Sequence, residues 1–164
     1  MPNFESANAA YQGLSGQLQS LILATVNPDG SPQVSYAPYV MDESYQIYIF
    51  VSGLAAHTAN LITTGEVSVL LIADEAHSPQ IFARQRLTYQ CGVKPVPRNS
   101  PQWQTTTQRF EQRFGEIIQT LCSLGDFQLL QLSPRSGRFV MGFGAAYNVD
   151  PNHLGQLQPG TVKA

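Results

Sequence analysis

Ser52, His57, Thr58 and Asn60 place two hydroxyls, an imidazole and an amide within nine residues of one another. They follow the run Ile47-Tyr48-Ile49-Phe50-Val51, in which Ile47, Ile49 and Val51 share one face and Tyr48 and Phe50 the other. β-Branched and aromatic residues in that alternation predict a strand packed on both faces. Ser52 stands where a side chain caps a helix, and His57, Thr58 and Asn60 fall inside that helix. The free N–H groups of a helix start suit an anion. The polar set reads either as a ligand corner or as a capped helix whose polar groups satisfy one another, and spacing alone leaves both open.

Arg84 and Arg86 are the second set. The spacing predicts one long strand over residues 80–93, with Arg84, Arg86 and Thr88 on one face. A guanidinium offers a planar fork of donors that fits carboxylates and phosphates. A surface ion pair is the competing reading. The histidines are His57, His77 and His153. His77 lies in a polar loop and reads as solvated, whereas His153 lies in the tail and can swing toward a ligand. No two histidines have metal-binding spacing, and Cys91 and Cys122 form neither a redox pair nor a zinc pattern. Neither a P-loop nor a Gly-x-Ser-x-Gly elbow occurs. Gly142-Phe143-Gly144 reads as a strand end that bends close to a ligand or another chain.

These groups need elements to position them. Residues 4–18 show helical spacing and are expected to pack on a sheet. Strands are predicted over 21–26 and 33–40, joined by the turn Asn27-Pro28-Asp29-Gly30, with Pro32 and Pro38 placing the second near an edge. The strand at 45–51, a helix at 54–63 and a strand at 67–73 follow. A single helix is expected over 102–121, with Trp103, Thr107, Phe110, Phe114, Ile117, Ile118 and Leu121 as its apolar stripe. Residues 127–132 and 138–143 read as a second hairpin closed by 133–137. The expected fold is mainly β (α+β): a six- to seven-stranded antiparallel split β-barrel with flanking helices. The barrel domain spans residues 1–147 and a polar tail spans 148–164.

The chain has 164 residues, enough for one domain with a substantial core. Only 12% of residues are charged, against a usual ~25%, so part of the surface is expected to be covered by a second copy. A net charge of −2 without a basic run argues against nucleic acid. There is no secretory leader pattern and no apolar run of ~18 residues. A soluble, cytoplasmic protein is expected.

Several motifs occur in a known order: Leu23-Ala24-Thr25, Asp29-Gly30-Ser31-Pro32-Gln33-Val34-Ser35, Ser52-Gly53-Leu54-Ala55-Ala56-His57-Thr58-Ala59-Asn60-Leu61, Ala83-Arg84-Gln85-Arg86-Leu87-Thr88, Gly125-Asp126-Phe127 and Gly142-Phe143-Gly144. Over roughly residues 14–147 the chain resembles the haem-utilisation branch of the pyridoxamine 5′-phosphate oxidase-like, FMN-binding split-barrel superfamily. The resemblance implies a homodimer with two ligand sites at its interface and haem or FMN as cofactor. In flavin-using relatives the strands carrying Thr25 and Ser35 and the helix start at Ser52, His57, Thr58 and Asn60 surround FMN, with Arg84 and Arg86 as further cofactor-binding candidates. His57 there takes the place of a lysine. In haem-degrading relatives a tail histidine binds iron, a partner's acid supports it, and an arginine acts on the distal side. Arg86 matches that arginine and Asp126 the acid, which makes both candidate catalytic residues. His153 is the candidate iron ligand, and Thr161 stands nearer the position where the family carries its histidine. The implied function is haem binding with oxygen-dependent haem degradation. The alternatives are an FMN-dependent oxidoreductase and a non-catalytic sensor or interaction module.

Overall fold

The computed structural model describes residues 3–162; residues 1–2 and 163–164, the outer ends of the expected barrel domain and tail, lie outside them. The elements run α1 (Phe4–Gln17), β1 (Ser20–Val26), β2 (Pro32–Met41), β3 (Ile47–Ser52), α2 (Ala56–Thr64), β4 (Glu66–Ile72), β5 (Arg86–Pro95), α3 (Pro101–Phe114), α4 (Ile117–Ser123), β6 (Phe127–Gly142) and β7 (Ala145–Asn148). The strand order is β3-β2-β1-β4-β5-β6-β7, and β3 also pairs with β6. That last pairing closes six antiparallel strands into a barrel and leaves β7 as an extra strand on β6. The expected fold class is correct.

Alternation decides what the barrel holds. Leu21, Leu23, Ile47, Ile49, Val69, Leu71, Leu87, Tyr89 and Phe139 point inward and form the main core. Tyr48 and Phe50 point outward from β3, yet they are buried beneath Trp103, Phe110 and Ile118 of α3 and α4. β3 is therefore covered on both faces, as its composition predicts. Helix α1 begins at Asn3, whose side chain accepts from the Ser6 N–H. It inserts Ala7, Tyr11 and Leu14 into the main core. The turn at Asn27-Pro28-Asp29-Gly30 forms as expected, with Gly30 at φ 85°. β2 pairs with β1 from Pro32 to Pro38 and with β3 only from Tyr39 to Met41, so the stretch with Pro32 and Pro38 has one free side.

Four local expectations need correction. Residues 81–83 form a 3-10 turn started by the Gln80 side chain, so β5 begins at Arg86 and Arg84 precedes it rather than sharing its face. The helix expected over 102–121 breaks at Gly115, which has φ 82°. In α3 the buried set is Trp103, Thr106 and Phe110, while Thr107 turns its hydroxyl back to the Trp103 carbonyl. The second hairpin does not exist, because residues 127–142 are one 16-residue strand. Ser133 to Gly137 stays extended because β5 pairs along it, with a bulge between Gln90 and Cys91 that absorbs the irregularity at Pro134. Finally, Gly142-Phe143-Gly144 is the turn between β6 and β7; Gly144 has φ +67° and no atom crowds either glycine.

Candidate functional site

The helix-start residues converge, but mostly on one another. The N-cap of α2 is Ala55, which supplies no capping side chain, so Ser52 is not the cap. Instead the Ser52 hydroxyl donates to Asp126 Oδ2 at 2.6 Å and accepts from the Leu54 N–H. The Gly53 N–H donates to the Asp126 carbonyl at 2.7 Å. A Cβ at Gly53 would lie 2.8 Å from that carbonyl oxygen. Asp126, expected from resemblance as a separate acid, is thus the partner of Ser52. Thr58 donates to the Ser52 carbonyl at 2.6 Å.

Asn60 is the hub of a buried amide cluster. Its Nδ2 lies 3.2 Å from Thr25 Oγ1, 3.0 Å from Asn27 Oδ1 and 2.8 Å from Gln33 Oε1. Two N–H bonds are shared among three acceptors. Thr25, Thr58 and Asn60 are almost fully buried. Sequence reasoning missed Asn27 and Gln33, although both flank the Asp-Gly turn that faces α2. Asn60→Ala leaves those acceptors without a donor, and a stability loss of about 2 kcal/mol is expected in urea unfolding. A loss near zero would mean the amide is not the hub.

Ser35 lies opposite Leu23 on the inward face, and its hydroxyl is buried without a partner. A buried polar atom without a partner marks strain or a place for a ligand. His57 is half-buried, and burial lowers its pKa from 6.5. The imidazole is therefore neutral near neutral pH and a weak substitute for lysine beside a phosphate. The unfolded chain takes up this proton at higher pH than the folded chain. The resulting stability is full above pH 6.5 and falls as pH drops toward the depressed value. His57→Gln is expected to flatten the drop in melting temperature between about pH 7 and about pH 5. An unchanged slope would assign the acid sensitivity to other groups.

Arg84 and Arg86 part company. Arg84 Nε donates to the Ala73 carbonyl, and Nη1 pairs with Glu75 at 3.1 Å, so the surface ion-pair reading describes it. Arg86 points outward from β5 and donates only to the Arg84 carbonyl, at 3.0 Å. Among the described residues it has no carboxylate partner. Its neighbours across the outer sheet face are Ile72 and Val140. One arginine went unnoticed in the sequence. Arg138, two residues from Val140, shares this outer face, and its Nη2 is buried with no partner. The alternation Arg138-Phe139-Val140 is the signal for it, masked by the turn composition of residues 133–137.

The two halves lie at opposite ends of one barrel. Arg86 pairs with Val140 near the end of β6, whereas Ser52 pairs with Phe127 at its start. At ~3.3 Å per residue, ~40 Å of strand separates those positions. His153 sits in the turn after β7, 71% exposed, with Nδ1 3.4 Å from Asp150 Oδ2. Its cleft is bounded by Gln12, Glu43, Ser44 and Tyr45 and includes neither Arg86 nor Asp126. The tail is tied to α1 there: Gln12 donates to the Gly155 carbonyl, Tyr11 to the Leu154 carbonyl, and the Leu157 N–H to Asn8. Among the described residues no three metal-ligating side chains cluster, and no helix is long and apolar enough to cross a membrane.

Comparison with known proteins places this arrangement. The pyridoxamine 5′-phosphate oxidase family model matches residues 8–141. The chain is 43% identical over 137 residues to the haem oxygenase HutZ of Vibrio cholerae, covering 83% of this chain and 77% of that protein. A crystal structure of HutZ from Vibrio cholerae, described as a haem storage protein, superposes with a TM-score of 0.72 at 36% identity over 81% of this chain and 91% of that one. The crystal structure of Campylobacter jejuni ChuZ superposes with a TM-score of 0.83 at 27% identity over 99% of this chain and 68% of that one.

Proposed function

Because the chain belongs to the pyridoxamine 5′-phosphate oxidase family, in its haem-utilisation branch, we propose that it binds haem in a crevice shared by two copies. The observation that carries this is Arg86: a half-buried guanidinium flanked by Ile72 and Val140 on the outer wall, with no carboxylate partner among the described residues. A flat apolar ring bearing carboxylates matches such a wall in shape and charge.

The second copy follows from where the groups lie. Val34 is 73% exposed and Tyr36 64%, beside the partly exposed Ile22 and Val26. Tyr36 pairs with Ile22, and Ile22 with Leu70, so these side chains make one outward apolar band. A band of this kind marks an interaction surface. A two-fold pairing through it is isologous and can set the Arg86 end of one barrel beside the Ser52–Asp126 end of the other. Arg86 then meets a carboxylate or orients the haem edge, and Asp126, already held by Ser52, presents its second oxygen to the crevice.

The residues present fit the ligand's carboxylates and ring. Haem, when bound, supplies redox-active iron. This chain's residues bind the ring's edge, exclude water through the apolar band, and hold a negative charge at Asp126. Adding haemin to purified protein is expected to give a saturable Soret band at one haem per chain, weakened at least about tenfold by Arg86→Gln. Lack of a saturable band in the wild type would overturn the reading. Loss of the band on adding ascorbate in air would establish degradation.

A second reading is FMN binding, favoured by the uncapped first turn of α2 and the lone Ser35 hydroxyl. Against it, the Ser52, Thr58 and Asn60 side chains are already engaged and His57 is neutral. A yellow protein after FMN addition, with no response to haemin, would replace the first reading with this one.

A further inference from the structure

We propose that Arg138 is the centre of a second oxyanion site, which takes the carboxylate or phosphate of the bound cofactor; this rests on the cofactor reading above. Arg138 lies on the outer face of β6, opposite Thr88 of β5 and Asn148 of β7. It borders a surface pocket of about 480 Å³ whose walls include Thr88, Gln90, Arg135, Asn148 and Gln158. Those neighbours are neutral, apart from Arg135, whose guanidinium pairs with Glu66 at 2.9 Å.

The decisive feature is the guanidinium itself. Its Nη2 is buried and makes no hydrogen bond. No carboxylate among the described residues pairs with Arg138. A buried charged donor without an acceptor is destabilising, so such a group is normally completed from outside the chain. Among the described residues the lining holds no carboxylate, and Arg135 is paired with Glu66, so Arg138 supplies the positive charge of the pocket. The neutral hydroxyl and amides of Thr88, Gln90, Asn148 and Gln158 suit the remaining lone pairs of an oxyanion. The outer-face register puts Arg86 diagonal to Arg138, because Arg86 faces Val140 and Thr88 faces Arg138. Diagonal cross-strand neighbours lie about 7 Å apart. Arg86 and Arg138, not Arg84 and Arg86, are therefore the arginine pair of this wall. Gln158 and Pro151 form the far side of the pocket, so the tail helps to shape it.

The chemistry required of the ligand is an oxyanion on a flat ring: a haem carboxylate or the phosphate of FMN. The test compares haemin with its dimethyl ester, and FMN with riboflavin, by absorbance and fluorescence titration of the wild type, Arg138→Gln and Arg138→Lys. In wild type one member of each responding pair, the charged one, is expected to bind at least about tenfold tighter. Preference within the haemin pair identifies a carboxylate, and preference within the FMN pair identifies a phosphate. Arg138→Gln removes that preference, and Arg138→Lys restores part of it. Because the buried Nη2 bonds to nothing, Arg138→Gln is expected to keep or raise the wild-type melting temperature. A clear fall in melting temperature would make Arg138 structural and overturn the proposal. Cofactor binding that ignores both Arg138→Gln and esterification would overturn the proposal while leaving the cofactor reading intact. If wild type binds neither pair, both readings fail together.

Discussion

Gly137→Ala is expected to destabilise the protein by about 3 kcal/mol, the upper part of the range for overpacking a core. Gly137 faces Tyr89 across β5 and β6. A Cβ there would lie 2.6 Å from Tyr89 Cδ1, 2.7 Å from Cε1 and 2.8 Å from Val149 Cγ2. The ring cannot move aside. Tyr89 is 1% exposed, and its hydroxyl lies 2.5 Å from that of Tyr11 on α1. Val149 is also fixed, since its N–H donates to the Gly137 carbonyl at 2.9 Å. The glycine therefore lets an aromatic ring lie flat over the strand and link the barrel to α1 and the tail. Urea unfolding of wild type and variant measures the effect. A change below about 0.5 kcal/mol would mean that the Tyr89 ring repacks freely.

The double variant Val34→Glu with Tyr36→Glu is expected to be a folded monomer whose cofactor affinity is at least about a hundredfold lower. Both side chains are mostly exposed, at 73% and 64%, so the single chain loses little packing. In an isologous pair the same patch meets itself. Four carboxylates then enter one apolar interface without partners, which is strongly unfavourable. Separating the copies leaves Arg86 without the Ser52–Asp126 corner, and neither half holds a flat cofactor alone. Light scattering after size exclusion gives the mass, and haemin titration gives the affinity. A monomer that binds haemin as tightly as wild type would place the whole site within one chain. A variant that remains dimeric would put the interface elsewhere.

The stretches most legible in the sequence are those where local pattern and tertiary contacts agree. The alternation through Ile47 to Val51 predicts burial on both faces, and both faces are buried. The Asp29-Gly30 turn and the helical spacing of Ala7, Tyr11 and Leu14 are equally local. Where a neighbour competes with local preference, the sequence misleads. Ser133-Pro134-Arg135-Ser136-Gly137 has turn composition, yet ten residues of β5 pair along β6 and hold it extended. Gly115 ends a helix whose apolar pattern continues past it, because a positive φ interrupts the hydrogen-bond ladder.

The candidate site divides in the same way. Residue types alone mark Ser52, Asn60 and Arg86 as groups able to bind or hold charge, and the family resemblance adds Asp126. Pairing across the barrel decided the rest: Asp126 is the partner of Ser52, Asn60 gathers Thr25, Asn27 and Gln33, Arg84 is engaged by Glu75, and Arg138 stands beside Arg86. Side-chain chemistry is a local property written into each residue. Which groups are already satisfied, and which still lack a partner, depends on strands brought together from distant parts of the chain.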